Sequence, residues 1–152
     1  MRKLLHKEGS ESGQSMIEFA LSLVMLLILL AALVDGSRVL FTYLALRDAA
    51  QEGAIFAAIA PCQENLVEQH VLGSSALVNG LGLDPATDIN VCISGGSACT
   101  GTTIQVEVIY DNFELTMPLL GGTIFTIRAT VRDTIVTPKC SDACSPAPGP
   151  CT

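Results

Sequence analysis

Basic residues are scarce in this chain: Lys and Arg number 8 against 15 Asp and Glu, a net charge of −7. Nucleic-acid binding draws on cations that neutralise phosphates, so that class of partner has no electrostatic support here. Tryptophan is absent and histidine occurs only as His6 and His70. No phosphate-binding loop, Gly-x-Ser-x-Gly elbow or His-Glu-x-x-His helix occurs, so none of these arrangements supplies a nucleophile, a base or a metal. No Asn-x-Ser/Thr glycosylation site is present either. The acids are scattered, and nothing singles out a pair for acid–base work. The sequence reads as that of a non-enzyme with no cofactor, no metal and no evident small-molecule substrate. His70 falls on or beside an apolar helix face and is expected to be a buried, hydrogen-bonded histidine.

What is abundant is apolar residues, at 49% of the 152, with a mean hydropathy of +0.50. Much of that sits in one N-terminal block. Sixteen uncharged, mostly apolar residues run from Phe19 to Val34, and Met16-Ile17 extend the run backwards across Glu18. A bilayer needs about 20 predominantly apolar residues in a helix. Arg2, Lys3 and Lys7 precede the block, whereas Asp35 follows it and the next base is Arg38. The positive-inside bias places the N-terminus in the cytoplasm and the rest outside. An ordinary cleaved secretory signal shares the basic start and apolar middle, but here the apolar run is long, Glu18 stands at its head, and small-residue cleavage sites after it are weak. A plain uncleaved anchor is the other alternative. Glu18 is the residue out of place, because a carboxylate at the edge of hydrocarbon costs a few kcal/mol unless something pairs it. The bland account of Glu18 is a side chain reaching back to the headgroups.

All six cysteines, Cys62, Cys92, Cys99, Cys140, Cys144 and Cys151, fall on the outer side of that block. An even count in an exported domain points to disulfides, and six cysteines allow fifteen pairings. A bond between Cys92 and Cys99 across a turn is the first candidate. Zinc is the competing reading. Cys140-x3-Cys144 has loosely acceptable spacing, but no histidine stands near a cysteine pair.

The fold class expected is α+β. Residues 1–13 read as a polar leader. One helix runs over 14–60, about 70 Å at 1.5 Å per residue, and Pro61 stops it. Beyond the membrane it forms a stem on which Leu40, Tyr43 and Leu44 share one face and Asp35, Arg38 and Thr42 another. A second, amphipathic helix is expected from Gln63 to Asn79, with Gly80 as its stop. After Asp84-Pro85 the period changes to two. Three alternating runs follow, at 89–94, 104–110 and 125–132, and predict a small antiparallel sheet with one face covered by the helices. Between the second and third runs lies a longer connection, 111–122, apolar in its middle at Leu115, Met117, Leu119 and Leu120. Gly95-Gly96 and Gly121-Gly122 read as turn glycines. Residues 138–152 carry Pro138, Pro146, Pro148 and Pro150 with three cysteines, a tail without regular structure unless disulfides hold it.

Gly13, four residues, then Glu18-Phe19 and a hydrophobic helix resembles the start of type IV pilin-like precursors. Further matches resemble the TadE-like pseudopilin family of tight-adherence (Flp-type) pilus systems. They are Glu18-Phe19-Ala20 at the head of the helix, Asp35-Gly36-Ser37-Arg38 at its outer end, and Ala49-Ala50-Gln51-Glu52-Gly53-Ala54 further on. A strand ending at Tyr110, the Leu/Pro-rich connection 115–120 and a final strand over 127–132 also recur. The six cysteines and the Pro/Cys tail depart from the pattern.

The resemblance implies cleavage between Gly13 and Gln14 by a membrane prepilin peptidase, where a residue without Cβ suits a close approach of backbone to enzyme. Three bases and two acids would be lost, leaving a net charge of −8. Glu18 becomes the fifth residue and pairs with the new α-amino group of a neighbouring subunit, with Phe19 beside it. Desolvation offsets much of that attraction, so the pair fixes register more than it adds stability. The function implied is that of a minor pilin or pseudopilin. Its partners are the membrane, the prepilin peptidase, other pilin or pseudopilin subunits and the assembly platform. It sits single-pass in the cytoplasmic membrane with its C-terminal domain outside. The alternatives are a permanently anchored, unpolymerised structural or adhesive domain, and an exported binding or enzymatic domain on a simple anchor.

Overall fold

A computed structural model describes residues 11–94, 98–116 and 122–137 of the chain. The architecture is α+β: one long helix, three short ones and a three-stranded antiparallel sheet.

Helix α1 covers Glu11–Ile59 without a break. It is built from Leu, Ala, Met and other good helix formers and contains no proline. Pro61 ends it, because the proline ring disfavours helical geometry in the residue before it. Two of the carbonyls left open at its C-terminus are taken by the end of the sheet. Val136 donates its N–H to the Ala58 carbonyl (2.9 Å), and the Thr137 hydroxyl donates to that of Ile59 (2.5 Å). The two halves of α1 live in different surroundings. From Gly13 to Val34 almost every side chain is exposed, Met16 at 77% and Leu30 at 50% among them. From Asp35 onward one face is buried, with Leu46, Ala49, Ala50, Ala54 and Ala57 fully covered. Their three- and four-residue steps make one stripe, and small side chains let the sheet and the second helix come close.

The second helix expected over 63–79 is two helices, α2 (Glu64–Gly73) and α3 (Ala76–Gly80). The break falls at Ser74-Ser75. Ser75 is extended, and its hydroxyl accepts a hydrogen bond from the Val78 N–H at 3.2 Å, which starts a new helix rather than continuing the old one. A single turn, α4 (Pro85–Asp88), follows. Asp84 accepts from the Ala86 N–H (3.0 Å), and Asp88 accepts from the Asp84 N–H (2.9 Å), a reciprocal cap with proline at the first helical position.

The sheet has the order β1-β2-β3, with β1 at Ile89–Ile93, β2 at Thr103–Glu114 and β3 at Ile124–Thr134. Val106 pairs with Val91 on one side and Val131 on the other. Ile89, Val91, Ile93, Ile104, Val106, Val108, Ile127 and Ala129 form the covered face against α1 and α2. The opposite face is polar, with Arg132 donating to Gln105 (2.8 Å) and Arg128 3.4 Å from Glu107. Strand β2 runs four residues past the expected end at Tyr110. Its register slips between Tyr110 and Phe113, where Asp111 and Asn112 face the single residue Thr126 on β3. That extra residue reverses the inward parity, so Phe113 turns into the core at 5% exposure.

Candidate functional site: the head and the exit of the long helix

Gly13, Gln14, Glu18 and Phe19 all lie on the exposed N-terminal stretch of α1. Gln14 and Glu18 are one helical turn apart and share a face with Ile17 and Leu21. Among the described residues, no hydrogen bond or ion pair reaches the Glu18 carboxylate. A Cβ added at Gly13 would have nothing within 4 Å, so nothing in the fold demands glycine there. The same holds at Gly36, mid-helix, where glycine is about 1 kcal/mol less favourable than alanine. The 18-residue window of highest hydropathy in α1 averages 2.8 with none of it buried, a helix long and apolar enough to cross a membrane.

The exit of that stretch is built differently. Asp35 is 3% exposed, and its Oδ1 accepts hydrogen bonds from the Thr116 N–H (3.3 Å) and the Thr116 hydroxyl. Arg38, one turn on, lies 3.5 Å from the same oxygen and donates to Thr116 Oγ1 (3.1 Å). Its guanidinium carbon stands 5.4 Å from the ring centroid of Phe113, within cation–π range. This clasp fastens the segment after β2 to α1 where the apolar run ends. It settles which of the two stem faces packs inward. Asp35 and Thr42 face the body, whereas Leu40, Tyr43 and Leu44 are 56%, 40% and 42% exposed. The sequence signal was an acid and a base three apart. It marks a pair but not its partner 81 residues away.

The other candidate residues are dispersed. Cys62 is exposed just past α1, Cys92 is buried on β1, and Cys99 is half-buried before β2. Cys140, Cys144 and Cys151, with the tail 138–152, lie outside the described residues, as do leader residues 1–10, Gly95-Gly96, Met117, Leu119, Leu120 and Gly121. His70 is exposed rather than buried, and its ring stacks on Phe56 with centroids 4.2 Å apart. Glu68, half-buried on α2, has its carboxyl raised above the ordinary range, first by burial and then by Glu64 and Asp84. No group of three or more His, Cys, Asp or Glu among the described residues could hold a metal ion.

A family model described as TadE-like protein matches residues 13–54. The match opens at Gly13 and takes in Glu18, the apolar run, the Asp35–Arg38 exit and Gly53. It agrees with the resemblance drawn from those motifs and suggests a protein associated with tight-adherence (Flp-type) pili, a structural rather than catalytic setting. No curated protein and no solved structure matches the chain.

Proposed function

We propose that this chain is a minor pilin or pseudopilin that supports assembly of a Flp-type pilus. Its 14–60 helix is inserted in the cytoplasmic membrane with the body of 61–137 outside, and the leader 1–13 is removed by a prepilin peptidase after Gly13. The observation that carries the reading is the uncovered apolar half of α1 with an unpaired carboxylate at its head, inside the stretch that the family model matches. Lipid covers that half first, and helices of other subunits cover it after extraction. Cleavage creates a cation at Gln14, and Glu18 of a neighbouring subunit supplies the matching anion. Ala31, Ala32 and Gly36 give neighbouring helices room to approach. This also accounts for a mid-helix glycine with nothing within 4 Å of its Cβ position among the described residues.

Disulfides belong to the same proposal. Six cysteines on the outer side of the apolar run support a cross-linked exported body.

Glu18→Leu tests the assembly role in a strain that lacks the wild-type copy. The variant is expected to insert in the membrane at wild-type level but to abolish or sharply reduce piliation, with Glu18→Asp retaining part of it. Wild-type piliation by Glu18→Leu would leave a permanently anchored, unpolymerised domain as the better account.

A further inference from the structure

Beside the exit of α1 stand exposed apolar side chains that no described residue covers, and they cluster at one level. The uncharged apolar run of α1 ends at Val34, itself 56% exposed, and Asp35 follows it. A hydrocarbon core of about 30 Å takes about 20 helical residues, so a span ending at Val34 puts Asp35 at its outer boundary. Thr116 is tied to the Asp35 carboxylate through both its N–H and its hydroxyl and therefore shares that level. Arg38 is about 4.5 Å further along the axis and stands over Phe113. Phe125 is the cross-strand partner of Phe113, and Ile124 that of Glu114. The near end of the β2–β3 pair thus lies within about a helical turn of the boundary, the depth that headgroups occupy.

Ile124 is 59% exposed and Phe125 48%, although Phe125 has the same parity as buried Ile127 and Ala129. Exposed rings and aliphatic groups at headgroup depth act as interfacial anchors. Arg38 leaves 46% of its side chain exposed beside them. With five N–H donors on the guanidinium, it can serve Asp35, Thr116 and a phosphate together.

We infer that the membrane-proximal end of the β2–β3 pair docks on the outer leaflet of the bilayer that α1 crosses. Ile124 and Phe125 enter the phospholipid headgroup layer, and Arg38 faces its phosphates. The patch stands about a helical turn beyond the end of the exposed apolar run of α1, so lipid is the occupant that requires no further component. The inference rests on the membrane-spanning reading of α1 proposed above. Docking holds the body upright on the membrane, and leaving the bilayer then means releasing this second contact as well as the helix.

The chain contains no tryptophan, so single substitutions report without background. Full-length Leu27→Trp, Ile124→Trp, Phe125→Trp and Val136→Trp would be reconstituted separately in phosphatidylcholine–phosphatidylglycerol vesicles. The acyl chains would carry bromine either near the headgroup or near the terminal methyl. Leu27→Trp is expected to lose emission to the deep bromines, and Ile124→Trp and Phe125→Trp to the shallow ones only. Val136→Trp, at the far end of the sheet, should lose none. If Leu27→Trp is quenched while both β3 variants behave like Val136→Trp, docking is wrong and the membrane reading stands. If Leu27→Trp is unquenched as well, the membrane reading falls and docking with it. Emission from the β3 variants that shifts blue only as protein density rises, without quenching, would assign the patch to a second copy of the chain and overturn the lipid assignment.

Discussion

Gly53 is where three elements meet and where a single methyl group is felt. A Cβ there would collide with Cγ2 of Val71 on α2, and would also lie 3.4 Å from Val106 on β2 and 3.6 Å from Val67. Relieving that collision moves a helix or forces a side chain off its rotamer, typically about 1–3 kcal/mol, against a helix-propensity gain of up to about 1 kcal/mol for alanine. Gly36 offers the opposite case, with nothing within 4 Å of its Cβ. Gly53→Ala is therefore expected to lower the apparent unfolding temperature of the full chain in detergent, and Gly36→Ala to keep or raise it. Circular dichroism melts read both, and a Gly53→Ala chain as stable as wild type would refute the packing account.

The elements are held to each other at two points about 35 Å apart along α1: Thr116 on Asp35, and Val136 and Thr137 on Ala58 and Ile59. Removing the carboxylate at the lower point takes away the acceptor for both donors of Thr116 and the anion beside Arg38, and a hydrogen bond to a charged group is worth about 1.5–3 kcal/mol. Asp35→Ala should speed amide hydrogen exchange in the peptide containing Thr116 while leaving β1 peptides unchanged. Equal exchange in the two chains would mean that the clasp does not hold the connection. The long helix, the three strands and their one covered face were legible because each rests on local periodicity. The elements that were not legible depend on something beyond period. Ser74-Ser75 divides α2 from α3 through one hydroxyl cap, which competes with a continuous apolar stripe. The β2 bulge inserts one residue and inverts parity, so the alternation in the sequence stops at Tyr110 although pairing continues to Glu114. Asp35 points inward because its partner, Thr116, comes from the segment after β2, and a helical wheel normally sends an Asp–Arg face to water. At the candidate site, Glu18 stood out as a carboxylate at the head of an apolar run, and Gly13 through the resemblance to pilin-like precursors. The Thr116 partner of Asp35 did not, because a contact across 81 residues leaves no local signature.

The whole molecule divides by solvent. One end of α1 exposes a membrane-length apolar surface, whereas the other packs a sheet whose outer face carries Arg128, Arg132, Gln105 and Glu107. On the proposed reading the chain remains an anchored domain unless its leader is removed, and removal creates the ammonium that would pair with Glu18. Processing after Gly13 is thus the step on which the pilus reading depends. The most direct measurement is the N-terminal residue of the membrane-extracted protein, expressed with its native peptidase, by intact mass and N-terminal peptide mapping. The account predicts a chain that begins at Gln14, and one that begins at Met1 when Gly13 is replaced by a bulky residue. An intact Met1 in the wild type would contradict it in favour of a permanent anchor, and a start near Gly36 would instead make the apolar run an ordinary secretory signal.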